Sequence, residues 1–302
     1  MFRRLLLLSI FLVVAAALLF VPLPIPPTAA GRTIENAGHT PLFMLLTLGV
    51  LLILRNDFGM LGSRLYVLAG LVGVGGGFLT EAIQKPLRRD ASWEDVIADA
   101  LGVLLALAVF ALFDRRSALP RSVRLLSLGV ALLCMTIYLT PLARMARAYV
   151  HRDGQFPVLA DFRSSNELFW VVGYGVNRDI VRDALDIEFS ADDFPGVSLH
   201  EPVPDWSKFR TLAIDVENPD ADALFLMVRV HDRGRGRFFN DRFNRRFDLA
   251  GRERRTIRIP IEDIRNGPRG RLMNMAHISD ITLFRGDRAG SRHLRIYSLR
   301  LE

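Results

Sequence analysis

Three groups of ionisable residues stand at the ends of apolar segments: Glu35 with His39, Glu81 with Gln84 and Arg88, and Asp95 with Asp99. Glu81, Gln84 and Arg88 recur at spacings of three and four, which lines them along one side of a helix and its exit. Asp95 and Asp99 are four apart and so share a helix face, while Gly102, three residues on, permits close approach by another helix. Two carboxylates close together in a low dielectric do not both ionise easily unless a cation such as Arg88 or His39 compensates. That chemistry suits general acid and base work by Glu81, Asp95 and His39, or the gripping of a polar ligand by Glu35, Gln84, Arg88, Ser92 and Asp99. A non-catalytic role, in which the same residues staple helices together, is the alternative. One histidine with scattered carboxylates lacks a zinc-ligand pattern, so no metal is expected, and no other cofactor.

The elements that must position these groups are long apolar runs. They cover residues 5–23, 41–54, 65–80, 96–113 and 125–142, each near the ~20 residues a helix needs to cross a bilayer. The second run reaches that length if its helix begins near Asn36, which places Pro41 in the first turn, where proline is tolerated. An up-down-up path through the second, third and fourth runs returns all three polar groups to one membrane face. Ionisable groups at membrane depth are rare and mark functional sites by default. The first run reads as a retained helix, with a cleaved signal peptide as the alternative because Arg3 and Arg4 precede it and Thr28-Ala29-Ala30 follows. The counts of Lys and Arg in the loops nearly tie. With Lys85, Arg88 and Arg89 assigned to a site, they favour an inside N-terminus and an outside C-terminal half.

The net charge of +7 is concentrated in the first half, where it fits attraction to the anionic heads of membrane lipid. Codon bias accounts for the wealth of arginine, and no nucleic-acid partner is expected. The one cysteine, Cys134, falls inside the fifth apolar run and leaves no disulfide framework. Gly73-Val74-Gly75-Gly76-Gly77 lacks the strand and Lys-Ser or Lys-Thr ending of a phosphate loop, so close helix packing is the reading.

The order Glu81-x-x-Gln84, Arg88, Ser92, Asp95-x-x-x-Asp99-x-x-Gly102, with Glu35 four residues before His39, resembles the VanZ-like membrane proteins over residues 5–115. Asn36 stands where that family commonly has lysine and Asp99 where it commonly has asparagine. The resemblance implies a cell-envelope protein of the bacterial membrane, some relatives being linked to reduced susceptibility to the glycopeptide teicoplanin. It supplies no molecular activity.

Beyond Tyr149 the periodicity shortens to alternation. Leu212–Val216, Leu224–Val230, Thr256–Pro260, Ile281–Phe284 and Leu294–Leu301 read as strands between Asn-Pro, Arg-Gly and Gly-Pro turns, which points to an antiparallel, jelly-roll-like sandwich. Asp205-Trp206-Ser207, Leu212 to Asn218 and Val228 to Asp232 resemble the galactose-binding-like sandwiches used as carbohydrate-binding modules. That resemblance implies sugar-stacking aromatics, with Trp170, Tyr174 and Trp206 as candidates and a place in the core as the alternative for each. The run Arg233–Arg246 reads either as a loop gripping anionic groups or as a solvated hairpin. No nucleophile elbow or defined carboxylate pair supports a hydrolase.

The expected architecture is therefore a membrane all-α bundle of about five helices followed by an all-β antiparallel sandwich. The divisions are 1–117 for the helical domain, 118–150 for a fifth helix and linker, and 151–302 for the exported sandwich. The expected partners are membrane lipid and a lipid-linked or polymeric envelope glycan, engaged at an outer-face polar pocket; the oligomeric state stays open.

Overall fold

A computed structural model describes residues 28–84, 93–234, 240–286 and 292–302. The chain divides into two compact units between Met145 and Ala146. The apolar run at 5–23 lies outside the described residues.

The first unit holds α1 (Ala29–Asn56), α2 (Ser63–Gln84), α3 (Trp93–Phe113) and most of α4 (Arg121–Gln155). All four are long and apolar enough to cross a membrane. The start of α1 differs from the expectation. Thr28 caps it, its hydroxyl accepting from the Gly31 amide at 2.9 Å, so the helix begins at Ala29 and Pro41 sits in its interior. Glycines bring α2 and α3 together. A methyl group at Gly73 would stand 2.8 Å from Val103 Cγ2 and 2.9 Å from Thr47 Oγ1. Asp114, fully buried just after α3, ties the opposite end of the unit. It accepts from Tyr66 Oη at 2.9 Å and from the amides of Arg116 and Ser117, and it faces Arg55 at 3.5 Å.

Helix α4 runs well past the apolar stretch expected to end near residue 142. Its last turns are held within the second unit. Tyr149 packs edge-on against Phe169 and Trp170 at 6.1 Å and donates to Glu201, while Arg152 donates to the Glu201 carbonyl at 2.9 Å.

The second unit is built from β1 (Val158–Ala160), a 3-10 turn (Ser165–Phe169), β2 (Val171–Tyr174), β3 (Val176–Ile180), β4 (Leu185–Phe189), β5 (Gly196–His200) and β6 (Thr211–Glu217). It continues with β7 (Leu224–Asp232), β8 (Phe243–Leu249), β9 (Arg254–Pro260), α5 (Ile261–Arg265), β10 (Ile278–Arg285) and β11 (His293–Leu301). Two sheets form, ordered β3-β4-β11-β6-β9 with β1 on β11, and β2-β5-β10-β7-β8. Every pairing is antiparallel. The alternating apolar residues of both sheets meet in one core, Leu226, Val228, Val230, Ile281 and Leu283 from one, and Leu212, Ile214, Ile257, Ile259 and Leu294 from the other. This is the sandwich that period-two burial requires.

Six strands, β1 to β5 and β8, were not foreseen. The first five are short, and β3 carries Asn177, Arg178 and Asp179. Of the two readings of Arg233–Arg246, loop or hairpin, the C-terminal end follows the hairpin, where Phe243, Asn244, Arg245 and Arg246 open β8 and pair with β7. Arginine belongs in this strand because its guanidinium finds partners there. Arg246 stacks on the Phe225 ring at 3.7 Å and Arg245 pairs with Asp263 at 2.9 Å.

Candidate functional site

Two polar constellations stand out, one in each unit. In the helical unit, Gly102 sets the approach of α3 to α1. A methyl group there would lie 2.3 Å from the Thr40 carbonyl oxygen and 3.0 Å from the Met44 amide nitrogen. At this separation the Thr40 hydroxyl donates to the Ala98 carbonyl at 3.0 Å, and His39 Nδ1 lies 2.9 Å from Asp99 Oδ1. The other ring nitrogen, Nε2, lies 3.9 Å from Asp95 Oδ1, so one imidazole spans two carboxylates on successive turns of α3. Asn36 Nδ2 reaches Glu94 at 3.5 Å. Asp99 is 1% exposed, and its Oδ2 faces α2, where a methyl group at Gly77 would stand 3.2 Å away.

Of the residues the sequence proposed, the structure therefore brings His39, Asp95 and Asp99 into contact range. Glu35 is half-buried on α1, one turn before His39. Glu81 lies one turn beyond Gly77 on α2, and of Glu81 and Gln84 only the helical backbone is described. Arg88 and Ser92 lie outside the described residues. A histidine bridging carboxylates can pass a proton between them or lock the helices in register.

The second constellation lies on the face of the five-stranded sheet turned away from the core. Residues opposite one another in an antiparallel sheet point the same way, so register decides which side chains meet. Asp280 pairs with His200 on one side and His231 on the other, giving the row His200, Asp280, His231. The next row is Ser198, Thr282, Arg229, Asn244. The third, Gly196, Phe284, Met227, Arg246, is bare or apolar until it reaches Arg246.

These rows floor a cleft of about 670 Å³, with Tyr174, Phe194 and Arg242 among its walls. Tyr174 is 49% exposed and Phe194 65% exposed. The Tyr174 hydroxyl lies 3.1 Å from His200 Nε2, His200 Nδ1 bonds Asp280, and the Ser279 hydroxyl donates to Asp280 at 2.6 Å. Burial alone would raise the Asp280 carboxyl, but the hydrogen bonds from His200 and Ser279 and the nearby His231 outweigh it and hold it below the usual carboxylate value. Ser198 Oγ and Thr282 Oγ1 are 2.9 Å apart. Arg229 donates from Nε to Asn244 Oδ1 at 2.7 Å and lies 4.5 Å over the Phe284 ring.

Exposed aromatic faces beside a polar floor are suited to a ligand with apolar faces and many hydroxyls. Asp280 is the only carboxylate among the described lining residues, so these residues do not supply the paired carboxyls of a glycosidase.

Trp170 and Trp206 are corrected as sugar-stacking candidates. They are 2% and 0% exposed, and the Trp206 indole donates to the Val203 carbonyl at 2.8 Å, so both pack the core and offer no face to a ligand. Tyr174 is the one aromatic candidate that reaches the cleft, and Arg242 of the Arg233–Arg246 run lines it as well. Phe194, His200, Arg229, His231 and Asp280 were not among the candidate site residues of the sequence reading. A signal existed in β7, where Met227, Arg229 and His231 alternate with Leu226, Val228 and Val230.

No protein-family profile matches the chain, and no curated protein matches it in sequence. Solved structures are similar in part. A family 11 carbohydrate-binding module from Clostridium thermocellum, in complex with a β-1,3-1,4-mixed-linked tetrasaccharide, is 15% identical with a TM-score of 0.39, over 48% of this chain and 93% of that one. The agarase AgWH50C is 17% identical with a TM-score of 0.38, over 48% of this chain and 24% of its own. A family 29 carbohydrate-binding module mutant complexed with cellulohexaose is 14% identical with a TM-score of 0.30, over 43% and 76%. At these values each is a likeness of chain course, and the chemistry of the cleft rests on its own lining. The second unit is an antiparallel two-sheet β-sandwich.

Proposed function

We propose that this chain is a membrane-anchored glycan-binding protein of the bacterial cell envelope, its sandwich holding an oligosaccharide on the outer side of the inner membrane. The observation that carries this reading is the cleft, where two polar rows of the five-stranded sheet lie beside the exposed rings of Tyr174 and Phe194. The cleft crosses from β2 to the Arg242 side of β8, about 19 Å at the usual strand spacing of ~4.8 Å. That length suits a short run of sugars. Anchorage is supported by the four long apolar helices and by the outward-facing Val67, Leu71, Leu125, Leu126, Leu132 and Leu133, an apolar surface that hydrocarbon accommodates and water does not.

The test is binding by the full-length protein in detergent micelles to immobilised neutral and acidic oligosaccharides. Bound glycan should be lost about tenfold in affinity on Tyr174→Ala, the loss of one stacked ring being ~1 kcal/mol or more. Absence of binding, or binding indifferent to both Tyr174→Ala and Phe194→Ala, would refute the reading.

For the helical unit, the VanZ-like reading rests on the quoted residue order and on the contact of His39 with Asp95 and Asp99. We propose that this polar group, with Glu81, engages the head of a lipid-linked or amphiphilic glycan at the outer face. A scaffold reading has its own support, since Asp114 already serves as a polar staple with Tyr66 and Arg55 at the other end of the unit. Native mass spectrometry of co-purifying lipids separates the two. The ligand reading expects a glycolipid or lipid phosphate retained by the wild type and lost from Glu81→Gln and Asp95→Asn. Identical ordinary phospholipids in all three would favour the staple.

A further inference from the structure

The helical unit holds a cavity of about 390 Å³ at the end away from the His39 group. Its walls are Leu104, Leu107 and Ala111 from α3 and Val123, Leu126 and Val130 from α4. On each helix these residues recur at spacings of three and four, so they line one face over about 10 Å at ~1.5 Å per residue. Helix α3 runs toward Asp114 and α4 runs away from it. Ala111 and Val123 therefore stand at the mouth, and Leu104 and Val130 lie about two turns deeper. On the neighbouring faces Ala131 and Cys134 of α4 pack with Leu105 and Ala108 of α3, which holds the two walls together.

The groove itself offers hydrocarbon. Of its hydroxyls, that of Tyr66 donates to Asp114 at 2.9 Å, that of Ser127 donates to the Val123 carbonyl at 2.9 Å, and Ser63 stands at the mouth, on the first turn of α2. Leu104 and Leu126 are 49% and 68% exposed along it. An apolar chain fills such a groove better than a polar ligand does.

The mouth is basic. Residues 55–64 and 114–124, which join the helices at this end, carry six arginines against Asp57 and Asp114. Asp114 is already neutralised from within, because it faces Arg55 at 3.5 Å and accepts from Tyr66 and from the amides of Arg116 and Ser117. Arg115 and Arg121 are exposed and flank Leu119, which lines the groove. A basic rim over an apolar slot between helices is complementary to a lipid with an anionic head.

Given the membrane anchorage proposed above, we infer that the groove between α3 and α4 holds an acyl chain of an anionic phospholipid, its phosphate meeting Arg115 and Arg121 at the membrane face opposite the His39 group. The chain supplies the hydrocarbon that the two walls lack between them, and the head supplies the negative charge that the rim lacks.

The experiment photolabels the full-length protein in detergent micelles with a phosphatidylglycerol that carries a diazirine at the end of one chain, and maps the labelled peptides by mass spectrometry. Label should concentrate on residues 104–111 and 123–130 rather than on the outward Leu45 and Leu52 of α1. Unlabelled phosphatidylglycerol should displace it at about tenfold lower concentration than phosphatidylcholine, whose head has no net charge. Arg115→Gln combined with Arg121→Gln should erase that difference, and Arg144→Gln, an exposed change further along α4, should preserve it. Leu104→Trp, at a half-exposed wall position, should lower the labelling of residues 123–130 about tenfold. Equal displacement by the two lipids, or a preference that survives the double arginine change, would overturn the site. Label spread evenly over the outward faces of all four helices would overturn it too, while leaving the anchorage intact. So would cross-linking of the groove to the apolar run at 5–23 in place of lipid, which would make the chain's own segment the occupant.

Discussion

Replacing Arg271 by alanine is expected to destabilise the sandwich by about 3–5 kcal/mol, the usual consequence of stripping a buried charge of its partner. Asp232, at the end of β7, is 0% exposed. Both its oxygens are held by the Arg271 guanidinium at 2.7 Å, and the Asn274 amide adds a bond at 2.8 Å. Arg271 also pairs with Asp241, so one fork ties the end of β7 to the segments before β8 and β10. Arg271→Lys keeps the charge but not the fork and should fall between wild type and alanine. Unfolding by urea can be followed through tryptophan emission, because Trp170 and Trp206 are sealed in this core.

The pH dependence identifies the cause. Burial would raise the Asp232 carboxyl, but the bonds from Arg271 and Asn274 and the charge of Arg271 hold it below the ordinary value. A group depressed in the folded state contributes stability above its unfolded value, about pH 4, and that contribution is lost as pH falls through the folded value. In Arg271→Ala the backbone bonds, first that from Asn274, remain to oppose burial without a counter-charge, so protonation of Asp232 should relieve the variant. Its deficit should be largest near neutrality and shrink at about pH 4 and below. A deficit of the same size at every pH would mean that lost packing, not the uncompensated charge, is responsible.

The second large effect is expected from Gly102→Val. The first atom of any side chain at this position falls 2.3 Å from the Thr40 carbonyl oxygen and 3.0 Å from the Met44 amide nitrogen. These are backbone atoms of α1 and cannot swing aside, so the helices must separate. Overpacking usually costs ~1–3 kcal/mol, and a clash with backbone belongs at the upper end. The separation would also remove the bond from Thr40 to Ala98 and pull His39 from Asp99. Gly129→Ala in α4 is the control, since nothing lies within 4 Å of the added methyl. Its removal of a helix glycine should be neutral or stabilising by about 0.5–1 kcal/mol. Heating detergent-solubilised protein and measuring the monodisperse fraction by gel filtration should show an early loss for Gly102→Val and none for Gly129→Ala. Equal melting of Gly102→Val and wild type would mean that α1 and α3 do not meet at this glycine.

Local pattern was enough for the elements with strong periodicity. Long apolar runs mark α1 to α4, because a helix must satisfy its backbone internally wherever water is excluded. Alternation marks β6, β7, β9, β10 and β11, which contribute apolar residues to the core on alternate positions, with the phase shifted once in β10 and once in β11 where the register slips. The four-residue spacing of Asp95 and Asp99 already placed both on one helix face. Gly102, Gly73 and Gly77 were legible as packing positions because a missing side chain permits close approach, whereas Gly75 in the same run meets nothing within 4 Å.

What only the tertiary structure decided is which side chains meet. His39 and Asp99 are 60 residues apart, and no property of either run fixes the rotation at which α1 and α3 face each other. The cleft is less legible still. Alternation says that Arg229 and His231 share one face of β7, but not whether that face is covered, nor that β10 sets Thr282 and Asp280 beside them. Register is a long-range property, set when a whole apolar face finds its core. The same reason separates the aromatics. Trp170, Trp206 and Tyr174 carry comparable apolar bodies and polar tips, so residue type cannot sort them. The burial of two and the exposure of the third follow from where the sheets close. The arginine run reads as a loop or a solvated hairpin because its charges suit water. In β8 the stacking of Arg246 on Phe225 and the pairing of Arg245 with Asp263 supply instead, within the fold, what water would have offered.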